Sequence, residues 1–555
     1  MNTRTHGSRR PGLGAGIGII GAAWLVAGCE SIFPLNDHLG FHVPPEQLHD
    51  IDATDLIGQS RTAPIRPEDV VVRERYEIPE PAVRTDLSIE EVRAAALTNN
   101  LDLRIELISP SIAQTSVNEE EAKFESTFNL SARRQNIDAP TDNATESSKA
   151  ETDSFSTGLD IPLRSGGTFS IDFPFDETET NNLFSTLNPS VDSDLRFSLQ
   201  QPLLRNFGEY VNTHSIRVAK HQEQIASART KLEAIRILAN ADRAYWLVYA
   251  ARRELEVRIQ QYELALTQLD QARRRVAAGD SPQIEITRAE SGVASRLEDI
   301  IIARTSVIRA ERDLKRIMNR ADLPLDGETA IFPSTEPAPL GLDLDPRRLA
   351  DAAVANRMEM LELELQLAID ASVVDFQRNQ KLPLVTLDYT YNINGLGGTH
   401  SESFDQLDDR SFEDWTLGLN VAIPVGNQQA ESRLHRAVLQ RLQRLATRDQ
   451  RSAAIRQEVL DAIDELRQNW QRILAARQES ILSRRTYEAE QRQFEVGVRT
   501  STDVLDAAAS LADAQSREIR AITDYQISQV DIAFATGTLL GHDKVRWEAV
   551  DVDEY

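Results

Sequence analysis

The sequence predicts an α+β membrane protein in which the strands of a transmembrane β-barrel are continued by a long α-helical coiled-coil barrel. Three observations carry this prediction: short segments that alternate apolar and polar residues, two very long helical patterns, and an internal repeat. The chain has 555 residues, of which 41% are hydrophobic and 27% are charged. That length is enough for several domains or for one very elongated unit.

Six segments alternate apolar and polar residues, as strands do when one face is oily and the other is wet. They are residues 124–130, 155–163, 169–175, 195–199, 385–393 and 415–425. A membrane barrel wall needs such segments, with lipid on one face and water on the other, although a soluble sandwich shows the same alternation. Long polar stretches at 137–152 and 177–192, against a tight turn at 164–167, favour the barrel, whose external loops are long and internal turns short.

Each strand group is followed by a very long helical pattern, at residues 208–277 and 428–496. At about 1.5 Å per residue, a helix of about 69 residues reaches about 100 Å, which no compact domain holds. Each pattern ends at a sharp turn, one at Gly279 and the other at Gly497. A return helix of about 40 residues is expected after each turn.

An internal repeat organises the chain. Leu87 to Leu103 aligns with Leu344 to Met360 at an offset of 257 residues, and the segments around the two turn glycines align at an offset of 218. The first copy therefore holds 39 extra residues between its first strand and its long helix. The predicted organisation is a signal peptide, an extended arm, two helix-strand-helix repeats and an acidic C-terminal tail, at residues 1–28, 29–86, 87–343, 344–541 and 542–555.

The N-terminal segment has the features of a secretory leader, because a basic start is followed by a short Gly-rich apolar stretch and small residues. The run Leu25 to Cys29 also resembles a bacterial lipoprotein signal, which predicts that Cys29 becomes the acylated first residue. A plain signal peptide that ends near a cysteine is the alternative. Prolines and acidic residues up to about Asp86 predict an extended arm that leads away from the lipid anchor.

Composition excludes several classes of function. A formal net charge of −26 argues against nucleic acid as a partner, since a phosphate backbone needs a basic surface. A single cysteine excludes a disulfide framework and a cysteine-based zinc site, and the nine histidines show no HExxH spacing, so no metal or other cofactor is expected. The chain after the leader also lacks a GxSxG motif, a P-loop and a dinucleotide fingerprint, which argues against an enzyme.

The chain resembles the TolC-like outer-membrane efflux protein family over roughly residues 86–541. The resemblance rests on the repeat, on Gln201-Pro202-Leu203-Leu204 at the exit from a strand, and on the turn segment Gly497 to Ala507. It implies a homotrimer whose strands close one barrel and whose helices form a tunnel across the periplasm. The implied function is the passive exit duct of a tripartite efflux pump or a type I secretion system. The implied partners are outer-membrane lipid, a periplasmic adaptor (membrane fusion) protein and an inner-membrane RND or ABC pump.

The same resemblance places a gate at the two turns. It implies that Arg499 hydrogen-bonds across to the first hairpin near Ile284 and Glu285, and that Asp503 with Asp506 rings the aperture. Helix capping and solvent exposure would explain the two aspartates without a gate. The implied gate residues are Glu285, Arg499, Asp503 and Asp506, beside the turn glycines Gly279 and Gly497.

Two features depart from the family pattern. Family members usually contribute four strands per chain, whereas six candidates occur here; the hairpin at about 153–176 either widens the wall or folds outside it, and a non-wall or edge role is favoured. Phe494 stands where the family often has a tyrosine, so one strut of the implied lock is missing. A structural coiled-coil periplasmic lipoprotein without channel activity remains the alternative; it explains the anchor and the helices but not the six alternating segments.

Overall fold

The structure is a computed structural model that describes residues 83–142 and 146–546. The predicted leader, Cys29, most of the predicted arm and residues 547–555 of the predicted tail lie outside the described residues. The strands are β1 (Val83–Leu87), β2 (Thr127–Asp138), β3 (Lys149–Pro162), β4 (Thr168–Thr180), β5 (Ser190–Pro202), β6 (Thr329–Pro333), β7 (Leu384–Gly397) and β8 (Phe412–Ala422).

Helices form the larger part of the described residues. The helices are α1 (Ile89–Asn99), α2 (Leu101–Glu106), α3 (Ser109–Ala122), α4 (Glu209–Asn212), α5 (His214–Ala277), α6 (Ile284–Met318), α7 (Pro346–Asn356), α8 (Met358–Gln380), α9 (His400–Asp408), α10 (Gln428–Glu495), α11 (Ser501–Ala535) and α12 (Leu539–His542). The two predicted long helices are α5 and α10, with 64 and 68 residues. Helix α5 begins later than predicted because Gly208, at a φ of 97°, and Thr213 interrupt the helical backbone around the single turn of α4.

The six predicted strands form one antiparallel sheet in the order β2-β3-β4-β5-β7-β8. Strands β3 and β4, which make up the hairpin at about 153–176, are interior members of this sheet. The expectation that this hairpin has a non-wall or edge role is therefore wrong as far as the sheet is concerned. The physical reason is register: Phe155 pairs with Ala132 and with Phe175, so the apolar residues of the hairpin lie on the same face as those of its neighbours.

The two faces of the sheet differ in chemistry. On one face Tyr391 lies opposite Phe197 and Trp415, and Trp415 leaves 65% of its surface exposed. On the other face Asn392 and Asn394 donate to Asp414 over 2.8 and 2.6 Å. The alternation in the sequence thus becomes one apolar and one polar face.

Helix α9, in the connection from β7 to β8, packs on the apolar face and was not predicted. The Phe404 ring stacks between Phe173 and Phe175, with centroids 6.0 and 5.9 Å away. Ser403 is buried and shares a 2.5 Å hydrogen bond with Ser193 of β5. The helix therefore covers aromatic rings of β4 and hydrogen-bonds to β5 and β7 at one end of the sheet.

The long helices return along themselves as two helical hairpins. Helix α5 turns into α6, and α10 turns into α11; α6 and α11 have 35 residues each. Helices α1 and α7 have 11 residues each, and their first residues lie 257 positions apart. Elements of equal length thus occur at the offset found in the sequence.

Hydrophobic clusters hold the helices together beyond the sheet, and the two largest among the described residues each join several helices. The first joins α1, α5 and α6 around Tyr245 and Leu314, and the second joins α7, α10 and α11 around Ile455 and Tyr525. A parallel pair of β1 and β6 packs into the first cluster and was not predicted. The last residues of the predicted extended arm are therefore a paired strand, because β6 supplies the hydrogen-bonding partners.

Candidate functional site

Both helical hairpins end in the same tight turn. Helix α5 closes in a Schellman motif in which Gly279 has a φ of 83° and the Asp280 amide donates to the Arg275 carbonyl over 2.9 Å. Helix α10 ends in the same way at Gly497, with a φ of 80°. Beyond the adjacent residues of the chain, no described atom lies within 4 Å of the position that a Cβ would take at either glycine, so a side chain would have room there. Glycine is therefore needed at both turns for its left-handed backbone and not for its small size.

Asp503 forms the capping box of α11. Thr500 is the N-cap; its hydroxyl accepts from the Asp503 amide over 3.3 Å, and the Asp503 carboxylate accepts from the Thr500 amide over 2.9 Å. The hydrogen bonds from Thr500 hold the pKa of the Asp503 carboxyl below its usual range. Capping therefore accounts for the position of this aspartate and keeps its charge, whereas Asp506 is exposed one turn further along.

Glu285 lies in the first turn of α6, at the other tip. Its carboxylate pairs with Arg288 of the same helix over 2.8 Å, and 16% of its side chain is exposed. Gln283, the N-cap of α6, makes no side-chain capping bond. The two tips thus share their turn but not the start of their return helix.

Arg499 binds within its own hairpin. Its Nε lies 3.1 Å from Glu490 Oε2, an ion pair without hydrogen-bond angles, and donates to Gln493 Oε1 over 3.2 Å. Among the described residues Arg499 makes no bond to Ile284 or Glu285, so the expected bond across to the first hairpin is wrong for this structure. The physical reason is that the last two turns of α10 place two acceptors, Glu490 and Gln493, within reach of Arg499.

Arg275 and Phe494 join the two tips instead. Arg275 Nη2 donates to the Phe494 carbonyl over 2.8 Å, and the guanidinium carbon lies 3.9 Å from the centroid of the Phe494 ring. Phe494 is 5% exposed. Sequence reasoning missed Arg275, since an arginine in the last turn of a helix signals only a favourable helix dipole.

A second contact joins the hairpins further from the turns. Leu505 of α11 lies against Gly292 of α6, with Cδ1 3.4 Å from the position that a Cβ would take. Glycine thus lets the two return helices approach closely.

Neither a metal centre nor a helical membrane span emerges from the described ranges. Over residues 83–142 and 146–546, no group of three histidine, cysteine, aspartate or glutamate residues could hold a metal ion. Among the same residues, none of the helices combines the length and the apolar character needed to cross a bilayer.

Comparison with known proteins identifies the class of protein. Residues 187–320 and 349–538 match the family described as Outer membrane efflux protein. Outer membrane protein TolC of Vibrio cholerae is 24% identical over 317 residues, which is 55% of this chain and 69% of that protein. Outer membrane protein TolC of Escherichia coli is 23% identical over 315 residues, which is 55% of this chain and 62% of that protein.

Solved structures share the fold. A crystal structure of CusC matches with a TM-score of 0.61 at 16% identity and covers 81% of this chain and 92% of CusC. The Campylobacter jejuni CmeC outer membrane channel matches with a TM-score of 0.60 at 15% identity and covers 81% of this chain and 86% of that channel.

The α+β fold is the one shared with these outer-membrane channels, and the family matched is a family of channels rather than of enzymes. The chain belongs to the outer membrane efflux protein family. Its function is that of an outer-membrane efflux channel, and the family resemblance predicted from the repeat and the turn segment is confirmed.

Proposed function

We propose that this chain is the passive exit duct of a tripartite efflux pump or a type I secretion system, and that three copies form it. The observation that carries the proposal is a sheet with one apolar and one polar face, joined to hairpins whose long helices reach about 96 and about 102 Å. Such a sheet separates lipid from a watery lumen once its edges are paired, and helices of that length extend the lumen into the periplasm.

The edges of the sheet support closure by further copies. Strands β2 and β8 are its two edges; every residue of β2 is exposed, and so is every residue of β8 except Gly418. Long unpaired edges of this kind favour pairing with another chain. Six strands from each of three chains would give a barrel of eighteen strands, wider than one built from four strands per chain because the diameter grows with the strand number.

The equal lengths of corresponding helices support an internal duplication. Helices α1 and α7 agree in length, as do α6 and α11. Two similar hairpins in each of three chains would supply six units around the tunnel.

The gate of the duct is proposed at the tips, with Asp503, Asp506 and Glu285 as its carboxylates and Arg499 as the cation beside them. A trimer repeats each charge three times around the axis, so the constriction would concentrate cations and repel anions. Thr500 keeps Asp503 ionised, which supports a lasting negative charge at this position. The pair of Arg499 with Glu490 would shape the second tip.

A duct of this kind has no energy source of its own, so we propose partners that open it and supply its substrate. A periplasmic adaptor (membrane fusion) protein would open the tips, and an inner-membrane RND or ABC pump would supply the substrate. Acylation of Cys29 would anchor the chain in outer-membrane lipid. A structural coiled-coil lipoprotein without channel activity is the other candidate, and the two-faced sheet disfavours it.

Extraction and conductance test the proposal. The protein is expected to fractionate with the outer membrane and, once extracted in detergent, to run as a heat-modifiable trimer that conducts ions in planar bilayers. Ser198→Pro, in the interior strand β5 that pairs with β4 and β7, removes a backbone donor from the sheet and should not conduct. A wild-type protein that extracts as a peripheral monomer and conducts nothing would contradict the duct.

A further inference from the structure

Arg275 joins the two helical hairpins of one protomer near their turns. We propose that Arg275 is a positioning residue that fastens the second tip to the first and so sets the resting aperture of the duct. This inference rests on the proposed function, because an aperture has meaning only in a channel.

The contact joins one turn directly to the other. The Arg275 carbonyl is part of the first turn, where it accepts from Asp280 over 2.9 Å. The Phe494 carbonyl is part of the second turn, where it accepts from Gly497 over 3.0 Å and also from Arg275 Nη2 over 2.8 Å. A displacement of either turn therefore acts on the other through one side chain.

Three physical effects add up at this contact. A guanidinium carries a full charge, and its hydrogen bond to a carbonyl is stronger than a neutral one. The Phe494 carbonyl lies at the negative end of the α10 dipole, where a cation is favoured. The guanidinium also lies over the face of a ring that is nearly buried, which allows a cation–π interaction with little competition from water.

The geometry also explains how Phe494 serves without a phenol hydroxyl. The acceptor of Arg275 is the backbone carbonyl, and the ring contributes its face. A hydroxyl at the para position takes part in neither interaction. The resemblance implies that the interaction of a tyrosine at position 494 is missing here. The contact of Arg275 with Phe494 takes its place.

Neighbouring arginines are engaged elsewhere. Arg274 pairs with Asp270 of its own helix over 2.7 Å, and 67% of its side chain is exposed. Arg499 pairs with Glu490 of its own hairpin. Arg274 therefore offers a matched control, with the same charge on the same helical turn but no contact across the hairpins.

Hydrogen exchange on the detergent-solubilised full-length protein tests the strut directly. Arg275→Gln is expected to raise the exchange rate of amides at 493–498 about fivefold, the change expected from losing one charge-assisted contact that holds a locally opening turn. Arg274→Gln should leave these rates at the wild-type value. Equal rates in Arg275→Gln and wild type would overturn the proposal.

Conductance of the same variants in planar bilayers tests the aperture. Arg275→Gln should open more often or to a larger conductance than wild type, whereas Arg274→Gln should not. Phe494→Tyr, which keeps the ring and the carbonyl, should behave as wild type, and Phe494→Leu should resemble Arg275→Gln in part. Faster exchange with unchanged conductance in Arg275→Gln would overturn the role of Arg275 in the aperture. A wild-type protein that does not conduct would overturn the duct itself, and the contact between Arg275 and Phe494 would then be judged by hydrogen exchange alone.

Discussion

Arg499 lies 3.1 Å from Glu490 and 3.2 Å from Gln493, both on the helix that leads into its own turn. Because 20% of the Glu490 side chain is exposed, its carboxylate is partly desolvated and depends on this cation. The ion pair therefore stabilises the second tip through a contact within one hairpin and does not join the two hairpins. Both partners should matter for the proposed gate.

Loss of the Arg499 cation is expected to loosen the tip. Arg499→Ala should raise the conductance in planar bilayers and the sensitivity of cells to large antibiotics, and Glu490→Gln should act in the same direction. Arg484→Ala, at an exposed position of α10 further from the turn, is the control and should change neither the conductance nor the antibiotic sensitivity. Unchanged conductance in Arg499→Ala would count against its place in the gate.

The charge of the aperture should depend on two aspartates of α11. Replacing Asp503 and Asp506 by Asn removes six carboxylates from a trimer, so the cation preference measured from reversal potentials in a salt gradient should fall. Asp370, which pairs with Arg444 far from the tips, is the control position for a single Asp→Asn change. A cation preference that survives the double change would place the selective charge elsewhere.

The same preference should persist in mild acid. Hydrogen bonds from Thr500 lower the pKa of Asp503, so its charge is lost only as the pH falls through that lowered value. Thr500→Ala removes the hydroxyl that donates to this carboxylate and should move the loss of selectivity to higher pH. Reversal potentials between pH 3 and pH 7 measure the shift, and identical titrations would contradict this account.

The long elements of this fold were predictable because their signals are periodic and local. Helix α10 was expected at 428–496 and occupies Gln428–Glu495, since almost no glycine or proline interrupts its seam. The six strands were found by alternation alone. Gly279 and Gly497 were identified as turns because a left-handed residue at a helix end favours glycine.

The missed features depend on contacts between distant segments. Strands β1 and β6 have five residues each and exist because they pair across 246 positions, from Val83 to Thr329. Helix α9 has nine residues and is held by the rings of Phe173 and Phe175 in another part of the sheet. The side chain of Arg275 reaches a carbonyl 219 positions away, and no sequence pattern reports such a reach.

The turn glycines should be costly to replace. Gly497→Ala and Gly279→Ala force a Cβ into the left-handed region, which destabilises each tip by about 1 kcal/mol although space is free. Hydrogen exchange of the turn amides should rise about fivefold, in keeping with that free energy. Gly541→Ala, at a helical glycine that also has free space, is the control and should leave exchange unchanged or slower. Normal exchange in Gly497→Ala would mean that the turn adopts another backbone.

A buried carboxyl pair near the C-terminal end should make the packing of α12 depend on pH. The Asp242 and Asp543 side chains are fully buried and share Arg93, whose Nη2 lies 2.7 Å from Asp543. Burial, with the negative charge of Asp242, raises the pKa of Asp543 to about 7. His542 and Glu90 are the other titratable groups close to the pair.

The direction in which stability changes with pH follows from proton binding. A carboxyl whose pKa is raised on folding holds its proton in the folded state, so its contribution to stability is complete below pH 3.8 and is lost as the pH rises to about 7. Protection of residues 539–543 against hydrogen exchange, corrected for the intrinsic rate, should therefore weaken from pH 5 to pH 7 and then level off. Asp543→Asn keeps the pair of Arg93 with Asp242 and should flatten this slope, whereas Asp531→Asn, which alters a half-exposed pair with Arg243, should retain it. An equal slope in wild type and Asp543→Asn would show that another group titrates.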